Sequence, residues 1–351
     1  MPGGSDIRSA ADRVAIIGAG LSGLVCARRL AEAGINVQVI EKARGPGGRM
    51  STRRADEWRF DHGAQYFTAR DPQFSQRVDS WRHLGLVERW AARIAVLDHG
   101  SIEVKGDSTE RYVGVPGMNA VCRHLAAGLD ITYGTEVAGL EKSAAGWCLT
   151  DRSGADIGLF DTVVVSAPAP QSARLLEHGA PEIATQANAA EMAPCWAAMV
   201  GFARPLKVAF DGAFVVGSPL SWVARNASKP GRPSGESWIL HASPEWSQRH
   251  LEIERKHAAD LLLESFNRAL KQPVDLPVHL AAHRWRFALP TEPLAHACLA
   301  HPELRVVACG DWCGGPRVEG AFLSGHAAAR LVAKFGLRPR QRLSGKLKGA
   351  D

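Results

Sequence analysis

Six residues near the start of the chain, Gly18-Ala19-Gly20-Leu21-Ser22-Gly23, restrict its fold more than any other stretch. The apolar run Val14-Ala15-Ile16-Ile17 precedes them, and a helical stretch to Ala33 follows. A second apolar run, Val37-Gln38-Val39-Ile40, then ends at Glu41. Strand, glycine turn, helix, strand and acid in this order predict a βαβ unit that grips a dinucleotide. Gly18 allows the tight turn out of the strand. Gly20, without a side chain, lets backbone approach a pyrophosphate, and Gly23 lets the helix pack on the sheet. Leu21 and Ser22 open the helix, whose free N–H groups and positive dipole end face the phosphates. Glu41 stands where a carboxylate accepts the ribose hydroxyls. A chance glycine turn would explain the glycines but not the strand, helix and acid placed around them.

The fingerprint does not separate NAD from FAD; the segments after it do. Glu41-Lys42-Ala43-Arg44 followed by Gly47-Gly48-Arg49-Met50-Ser51-Thr52 resembles the second motif of the FAD-containing amine oxidase superfamily, an acid, an arginine, then Gly-Gly-Arg and a hydroxyl residue. Arg44 and Arg49 suit bidentate contacts to a diphosphate. A solvated basic loop would account for the arginines but not for the glycine pair. Near the other end, the run Arg305–Cys309 leads to Gly310-Asp311, Gly315, Arg317-Val318-Glu319-Gly320-Ala321 and a helix to about Phe335, which resembles the C-terminal flavin motif of the same superfamily. The resemblance implies that Asp311 lies near the pyrophosphate and ribityl chain. It also implies that Val318, Glu319, Gly320 and Ala321 bring backbone N–H groups and a helix start to the flavin pyrimidine edge, Glu319 acting through its backbone. A positive helix end there favours the anionic reduced flavin. In similar flavoproteins a valine, here Val137, meets the adenine through its backbone.

Motifs at both ends imply a discontinuous cofactor domain. The expected fold is α/β. An FAD-binding Rossmann-like domain of the p-hydroxybenzoate hydroxylase/amine oxidase type covers residues 10–73, 110–170 and 299–337. A substrate domain of mostly antiparallel sheet plus helices covers 74–109 and 171–298, and residues 1–9 and 338–351 are loose termini. Within the insertion, 197–202, 213–216, 220–224, 237–241 and 278–283 are strand candidates. Leu251 to Leu270 has the apolar spacing of an amphipathic helix. Phe160 to Ala167 reads as one buried strand ended by Pro168.

A further set of segments narrows the resemblance. Asp61-His62-Gly63-Ala64-Gln65-Tyr66, Gly114-Val115-Pro116-Gly117-Met118, Trp222-Val223-Ala224-Arg225-Asn226 with Ser228-Lys229-Pro230, Trp238–His241, His283-Arg284-Trp285 and Gly310-Asp311-Trp312-Cys313 are similar, in order, to the bacterial renalase family. That resemblance implies non-covalent FAD and oxidation of the 2-dihydro and also the 6-dihydro isomers of NAD(P)H to NAD(P)+. Hydride passes to flavin N5, O2 is reduced to H2O2, and the role is metabolite repair. It places Ala64, Gln65 and Tyr66 against the isoalloxazine. A monomer or weak dimer is expected.

Oxidising a dihydropyridine needs placement more than acid–base help, so no catalytic triad is expected and no residue is assigned as catalytic. The candidate substrate-binding residues are Gln65, Tyr66, Trp222, His241, His283 and Trp285. Each Trp and His has a plainer alternative as a core residue. Arg225 and Arg284 stand between phosphate contacts and surface ion pairs. Lys229, in a Pro/Gly loop, is not assigned a role at the flavin. Two rival functions stay open, a flavin amine oxidase acting on a small amine and a non-catalytic FAD-bound scaffold.

Composition excludes several classes. At 46% hydrophobic and 22% charged, this is an ordinary soluble chain. The net charge of +6 suits anionic ligands. No basic stripe with interleaved aromatics argues for nucleic acid. The seven cysteines are scattered and lack the second pair or histidines of a zinc site, so no metal is expected and a reducing, cytoplasmic location is. No run approaches the ~18 apolar residues of a membrane span. Met1 to Asp12 reads as a loose leader without a signal peptide's apolar core. The basic stretch from Arg338 onward reads as a solvated tail.

Overall fold

The computed structural model describes residues 11–339 except 107, 272 and 273. Its first unit grows from the glycine turn. Strands Arg13–Ile17 and Asn36–Glu41 lie parallel, Ile17 opposite Ile40, and the helix Leu21–Glu32 joins them. Thr162–Val165 flanks the first strand on its other side, also parallel, and Val306–Ala308 follows in parallel. Leu299–His301 closes one edge antiparallel, and Asp130–Tyr133 closes the other. The central strands are apolar at nearly every residue because both faces of this sheet are covered. Val14 and Ile16 face the helices Leu21–Glu32 and Val318–Ala333. Ala15 and Ile17 face the helices Ala169–Leu176 and Pro181–Asn188 and a three-stranded antiparallel sheet, Val137–Ser143, Gly146–Asp151 and Asp156–Phe160.

The expected single strand from Phe160 to Ala167 is two strands in two sheets. The break falls at Asp161, whose carboxylate accepts the Arg13 N–H at 2.7 Å while its own N–H donates to the Arg13 carbonyl at 2.9 Å. Those bonds turn the chain from the small sheet into the large one.

The second unit is a seven-stranded sheet in the order His279–Glu292, Glu191–Phe202, Glu236–Ala242, Leu220–Arg225, Gly212–Val216, Ile94–Asp98 and Ser101–Lys105. Only the Gly212–Val216 and Ile94–Asp98 pair is parallel. One face packs on the helix Arg255–Leu270 through Trp238, Leu262 and Phe266. That helix begins four residues later than its apolar pattern suggested, after a separate short helix at Pro244–Arg249. The segment 74–109 divides between the units. Its strands Ile94–Asp98 and Ser101–Lys105 join the seven-stranded sheet and Val87–Arg89 pairs separately with Tyr112–Gly114, but the helix Pro72–His83 sets Phe74, Val78 and Trp81 against Phe322 of the first unit, with the Phe74 and Phe322 rings 5.1 Å apart. Those residues, at i, i+4 and i+7, form one apolar stripe that needs an apolar partner.

At the chain's ends, Asp12 and Arg338 are fixed rather than loose. Asp12 is buried and accepts both the main-chain N–H (2.9 Å) and the guanidinium (2.7 Å) of Arg338. Residues 1–10 and 340–351 of the expected leader and tail lie outside the described residues. No helix among the described residues is long and apolar enough to cross a membrane.

The helices Leu21–Glu32 and Val318–Ala333 cross closely because Gly325 lies against the backbone of Ser22, where an added Cβ would overlap the Ser22 carbonyl. Gly325→Val is expected to force the helices apart and to lower stability by about 1–3 kcal/mol, measured as a fall in the urea midpoint.

Candidate active site

A cleft of about 1990 Å³ opens between the units. Ordinary ligand sites fall near 300–1,000 Å³, so there is room for a dinucleotide and a second molecule beside it. Gly18, Gly20, Leu21, Ser22, Glu41, Lys42, Arg44, Gly48, Arg49, Met50, Val137, Asp311, Val318 and Ala321 all line it. Gly18 holds φ at +107°, and its N–H donates to the Ile40 carbonyl at 2.8 Å, which closes the turn. Glu41 is buried at the strand end, and its two carboxylate oxygens accept the N–H groups of Ala19 (2.6 Å) and Ala43 (2.7 Å). An added Cβ on Gly20 would meet no protein atom within 4 Å, so what the missing side chain leaves free is space in the cleft.

Two expected cofactor contacts, Arg49 and Gly320, sit differently. Arg49, expected to neutralise a diphosphate, is itself neutralised by Asp311 in a two-pronged pair, both bonds 2.7 Å. Gly320 is packed beneath the cleft, where a Cβ would overlap the Gly315 carbonyl. The Glu319 carboxylate turns away to accept the N–H groups of Arg70 and Asp71, both at 2.7 Å, and so anchors the start of the helix Pro72–His83. Gly23 also lies below the surface, its absent Cβ making room for the Gly18 carbonyl.

The loop Asp61–Tyr66 separates this groove from a second compartment. Ala64 N–H donates to the Arg49 carbonyl at 2.9 Å. The Gln65 amide lines the cleft but is fully engaged. Its Nε2 donates to the carbonyls of Asp61 and Gly63, and its Oε1 accepts from Lys229. The His62 carbonyl accepts from Trp285 Nε1 at 2.9 Å and from His241 Nε2 at 3.2 Å, which ties the loop to the second sheet.

Across that sheet Phe214, Trp222, His241, Ala197 and His283 are successive register partners. Directly opposed residues point to the same face, so both histidines and Trp222 are delivered to the cleft by strand pairing alone. Trp285 sits two residues beyond His283, on the same face. The His283 and Trp285 rings are 4.3 Å apart, and His62 lies 4.9 Å from the first and 5.0 Å from the second. Tyr66 stands 5.5 Å from Trp222 on the other side.

These imidazoles are neutral. Burial pulls His62 and His241 down to about 4 and His283 to about 3, and the Arg53 charge adds to the shift of His62 and His283. A carbonyl only accepts, so His241 carries its proton on Nε2 and offers Nδ1 as a lone pair. His62 Nδ1 is buried without a hydrogen-bond partner. His62 was not singled out in the sequence. Its place in the Asp61–Gln65 loop was the only signal.

Lys229, read as a loop residue, is fully buried. Its Nζ lies 3.1 Å from Gln65 Oε1, 3.3 Å from Asn226 Oδ1 and 3.5 Å from Asp61 Oδ2. Arg232 grips the same Asp61 oxygen at 2.5 and 3.1 Å, and Thr52 Oγ and Met118 N–H donate to the other at 2.7 and 3.0 Å. Burial pushes the Asp61 carboxyl up, but Lys229 and Arg232 outweigh it and hold it below its ordinary value. Burial lowers Lys229 to about 8 against the pull of Asp61. Arg225 and Arg284 make ion pairs, with Glu236 at 3.2 Å and Glu252 at 2.7 Å.

A family model for flavin containing amine oxidoreductases matches residues 80–333, and one for an NAD(P)-binding Rossmann-like domain matches residues 16–81. The chain belongs to the flavin containing amine oxidoreductase family. Its fold is shared with a putative protoporphyrinogen oxidase from Exiguobacterium sp. 255-15, with a TM-score of 0.75 and 12% identity over 93% of this chain and 99% of that one. Shorter stretches are similar to two curated proteins. One is a zeta-carotene-forming phytoene desaturase of Myxococcus xanthus, 47% identical over 51 residues (14% of this chain). The other is a mitochondrial protoporphyrinogen oxidase of Nicotiana tabacum, 40% identical over 86 residues (24% of this chain). The matches span only 10% and 16% of those relatives' own lengths. Membership in the family carries with it a flavin-dependent oxidoreductase and FAD as the cofactor, and the groove fits that group. Glu41 fixes the turn at the end of the second strand, Gly20 leaves the space open, and the helix Leu21–Glu32 points its first N–H groups into it.

In this family member, twelve Lys and Arg side chains but only three carboxylates line the cleft. All three carboxylates are engaged, Glu41 by Ala19 and Ala43, Asp311 by Arg49, and Glu136 by Arg152 at 3.2 Å. Of the cations, Arg49, Arg152, Arg284 and Arg286 have ion-pair partners. The side chains of Lys42, Arg44, Arg53, Arg54, Arg70, Arg123, Arg174 and Arg317 have none among the described residues.

Two outcomes are expected. The Cβ of Gly20→Val would meet no protein atom within 4 Å, so the variant is expected to fold with a little-changed melting temperature as apoprotein yet to purify colourless, read by flavin absorbance per chain. For Lys229 the pH dependence has a definite sign. Between its folded pKa of about 8 and the ordinary 10.5, the unfolded chain holds a proton that the folded chain has released, so this group's contribution to stability rises with pH. Denaturation of wild type and Lys229→Met at pH 7 to 10.5 is expected to show wild type gaining on the variant by up to about 3 kcal/mol, and parallel curves would contradict the shift.

Proposed function

We propose that the chain is a flavoprotein oxidase of renalase type, converting isomeric dihydronicotinamide dinucleotides, the 2-dihydro and also the 6-dihydro forms of NAD(P), to NAD(P)+ with O2 going to H2O2. The observation that carries this reading is the pairing of a neutral, flat-ringed compartment with a cleft whose unpaired charges are all positive. Non-covalently bound FAD would supply two-electron acceptance and return of the electrons to oxygen.

The protein's part is placement. Trp285, His62 and His283 offer ring faces and edges to a planar dihydropyridine, and Tyr66 and Trp222 wall the opposite side. His241 Nδ1 accepts an N–H, as from a carboxamide. Hydride loss from a ring carbon leaves an aromatic product and calls for no proton at that carbon, which agrees with imidazoles kept neutral well below pH 7. The unpaired cations favour a substrate bearing phosphates.

The same features count against an amine substrate. A protonated amine would meet cations and no unengaged carboxylate, and Tyr66 and Trp222 alone make a poor cage for it. A scaffold without turnover would have little use for a second compartment beside the cofactor groove. A small dinucleotide and O2 are the proposed partners, with no role for nucleic acid or membrane, and the seven free cysteines suit a metabolite-repair enzyme of the reducing cytoplasm.

The test is anaerobic mixing of the yellow holoprotein with 2-dihydro-NAD, 6-dihydro-NAD and small amines, followed by flavin absorbance. Fast bleaching by a dihydro-NAD isomer, with NAD+ formed and peroxide released on admitting air, is expected. Bleaching by amines alone, or by none of these compounds, would overturn the reading.

A further inference from the structure

We propose that Arg53 is the substrate's anion anchor, a guanidinium that takes a phosphate of the incoming dinucleotide where the ring compartment meets the cofactor groove. This rests on the dinucleotide reading above and adds a specific binding site to it.

Arg53 opens the short strand Arg53–Ala55, directly after Thr52, whose hydroxyl is fixed to Asp61. Its register partner is Phe60, two residues before His62, and the Phe60 ring stacks on His279 at 5.1 Å. The hairpin therefore carries Arg53 to the same end of the cleft as the histidines of the second sheet. Arg53 lines the cleft and is exposed, and its side chain has no ion-pair or hydrogen-bond partner among the described residues.

Its charge acts on His62, His279 and His283, which come from two separate elements and are all held below the ordinary histidine value. Neutral imidazoles cannot balance a guanidinium. Asp56 and Glu57, in the turn of the hairpin, act on His279 and are not ion-paired with Arg53. An uncompensated positive charge thus stands beside the ring compartment without entering it.

That offset matches the ligand's chemistry. In a nicotinamide nucleotide, a ribose separates the ring from the nearest phosphate, so the anion must be met near the ring site and not within it. Arginine suits the task because its planar fork meets two phosphate oxygens at once, which lysine cannot do. Lys42, Arg44 and Arg317 lie on the glycine motifs of the groove and are placed for the cofactor's own phosphates. Among the cleft-lining cations without an ion-pair partner in the described residues, Arg53 is the one whose charge acts on His62 and His283.

The phosphate has two sources, the pyrophosphate linkage common to all dinucleotides and the 2′-phosphate of the NADP forms. The experiment separates them with holoprotein, anaerobic reduction and four 2-dihydro substrates: the nicotinamide riboside, the mononucleotide, NAD and NADP. The quantity read is each substrate's half-saturating concentration for wild type, Arg53→Ala and Arg53→Lys.

Loss of a charge-assisted hydrogen bond predicts that Arg53→Ala loses about tenfold of the wild-type preference for phosphate-bearing substrates over the riboside, with partial recovery in Arg53→Lys. A loss shared by mononucleotide, NAD and NADP assigns the anchor to the linkage; a loss confined to NADP assigns it to the 2′-phosphate. Equilibrium titration with NAD+ and with nicotinamide riboside, followed by flavin absorbance, is expected to show the same change of ratio without turnover. Wild-type reduction with an unchanged ratio in Arg53→Ala would overturn the anchor and leave the substrate reading standing. A wild type reduced by none of the four would overturn both.

Discussion

Asp61 is the pin on which the two units turn. One of its oxygens is held by Thr52 and Met118 from the first unit, the other by Arg232 and Lys229 from a loop of the second. The carboxylate and both cations are buried, so each would be costly alone, and removing one partner of such a set costs about 3–5 kcal/mol. The next residue, His62, sends its carbonyl to Trp285 and His241. One short loop therefore aligns the cofactor groove, the ring compartment and the sheet behind it. Two cations against one carboxylate also leave the pin with a net positive charge, in keeping with the electrostatics of the cleft beside it.

The cofactor half was legible because its determinants are local. Gly18, Gly20, Gly23 and Glu41 fall within one βαβ unit, and each answers a steric or hydrogen-bonding need set by its near neighbours. The substrate half was less so. His241 and His283 are 42 residues apart in sequence and meet only through the intervening strand that carries Ala197. Arg49 carried the right signal with the wrong partner, because Asp311, 262 residues away, reaches it first. Lys229 was placed in a Pro/Gly loop without a role, because the acid that draws its ammonium inside, Asp61, lies on a distant segment. Glu319 was expected to act through its backbone alone; what its side chain does, accepting the N–H groups of Arg70 and Asp71, 249 and 248 residues away, had no local signal.

Neutrality within a positive frame sets the character of the cleft. The rings that would meet a substrate carry no charge at neutral pH, while eight of the twelve surrounding cations have no ion-pair partner among the described residues. On the proposed reading a ligand would be sorted twice, by planarity at one end and by negative charge along its length. Either property alone is common among metabolites, and their combination is characteristic of nucleotides.

The parallel strand Val306–Ala308 comes from the last fifty residues of the chain, yet it lies inside the nucleotide-binding sheet, against Thr162–Val165. The helix Val318–Ala333 then covers the face on which Leu21–Glu32 already rests. During synthesis the glycine turn emerges long before this strand and helix, which follow it only after the whole second unit. Such long-range closure is slow compared with local pairing. Until the strand and helix arrive, the sheet lacks a strand beside Thr162–Val165 and one of the helices that cover its face. The groove is therefore complete only once its two most distant segments have met.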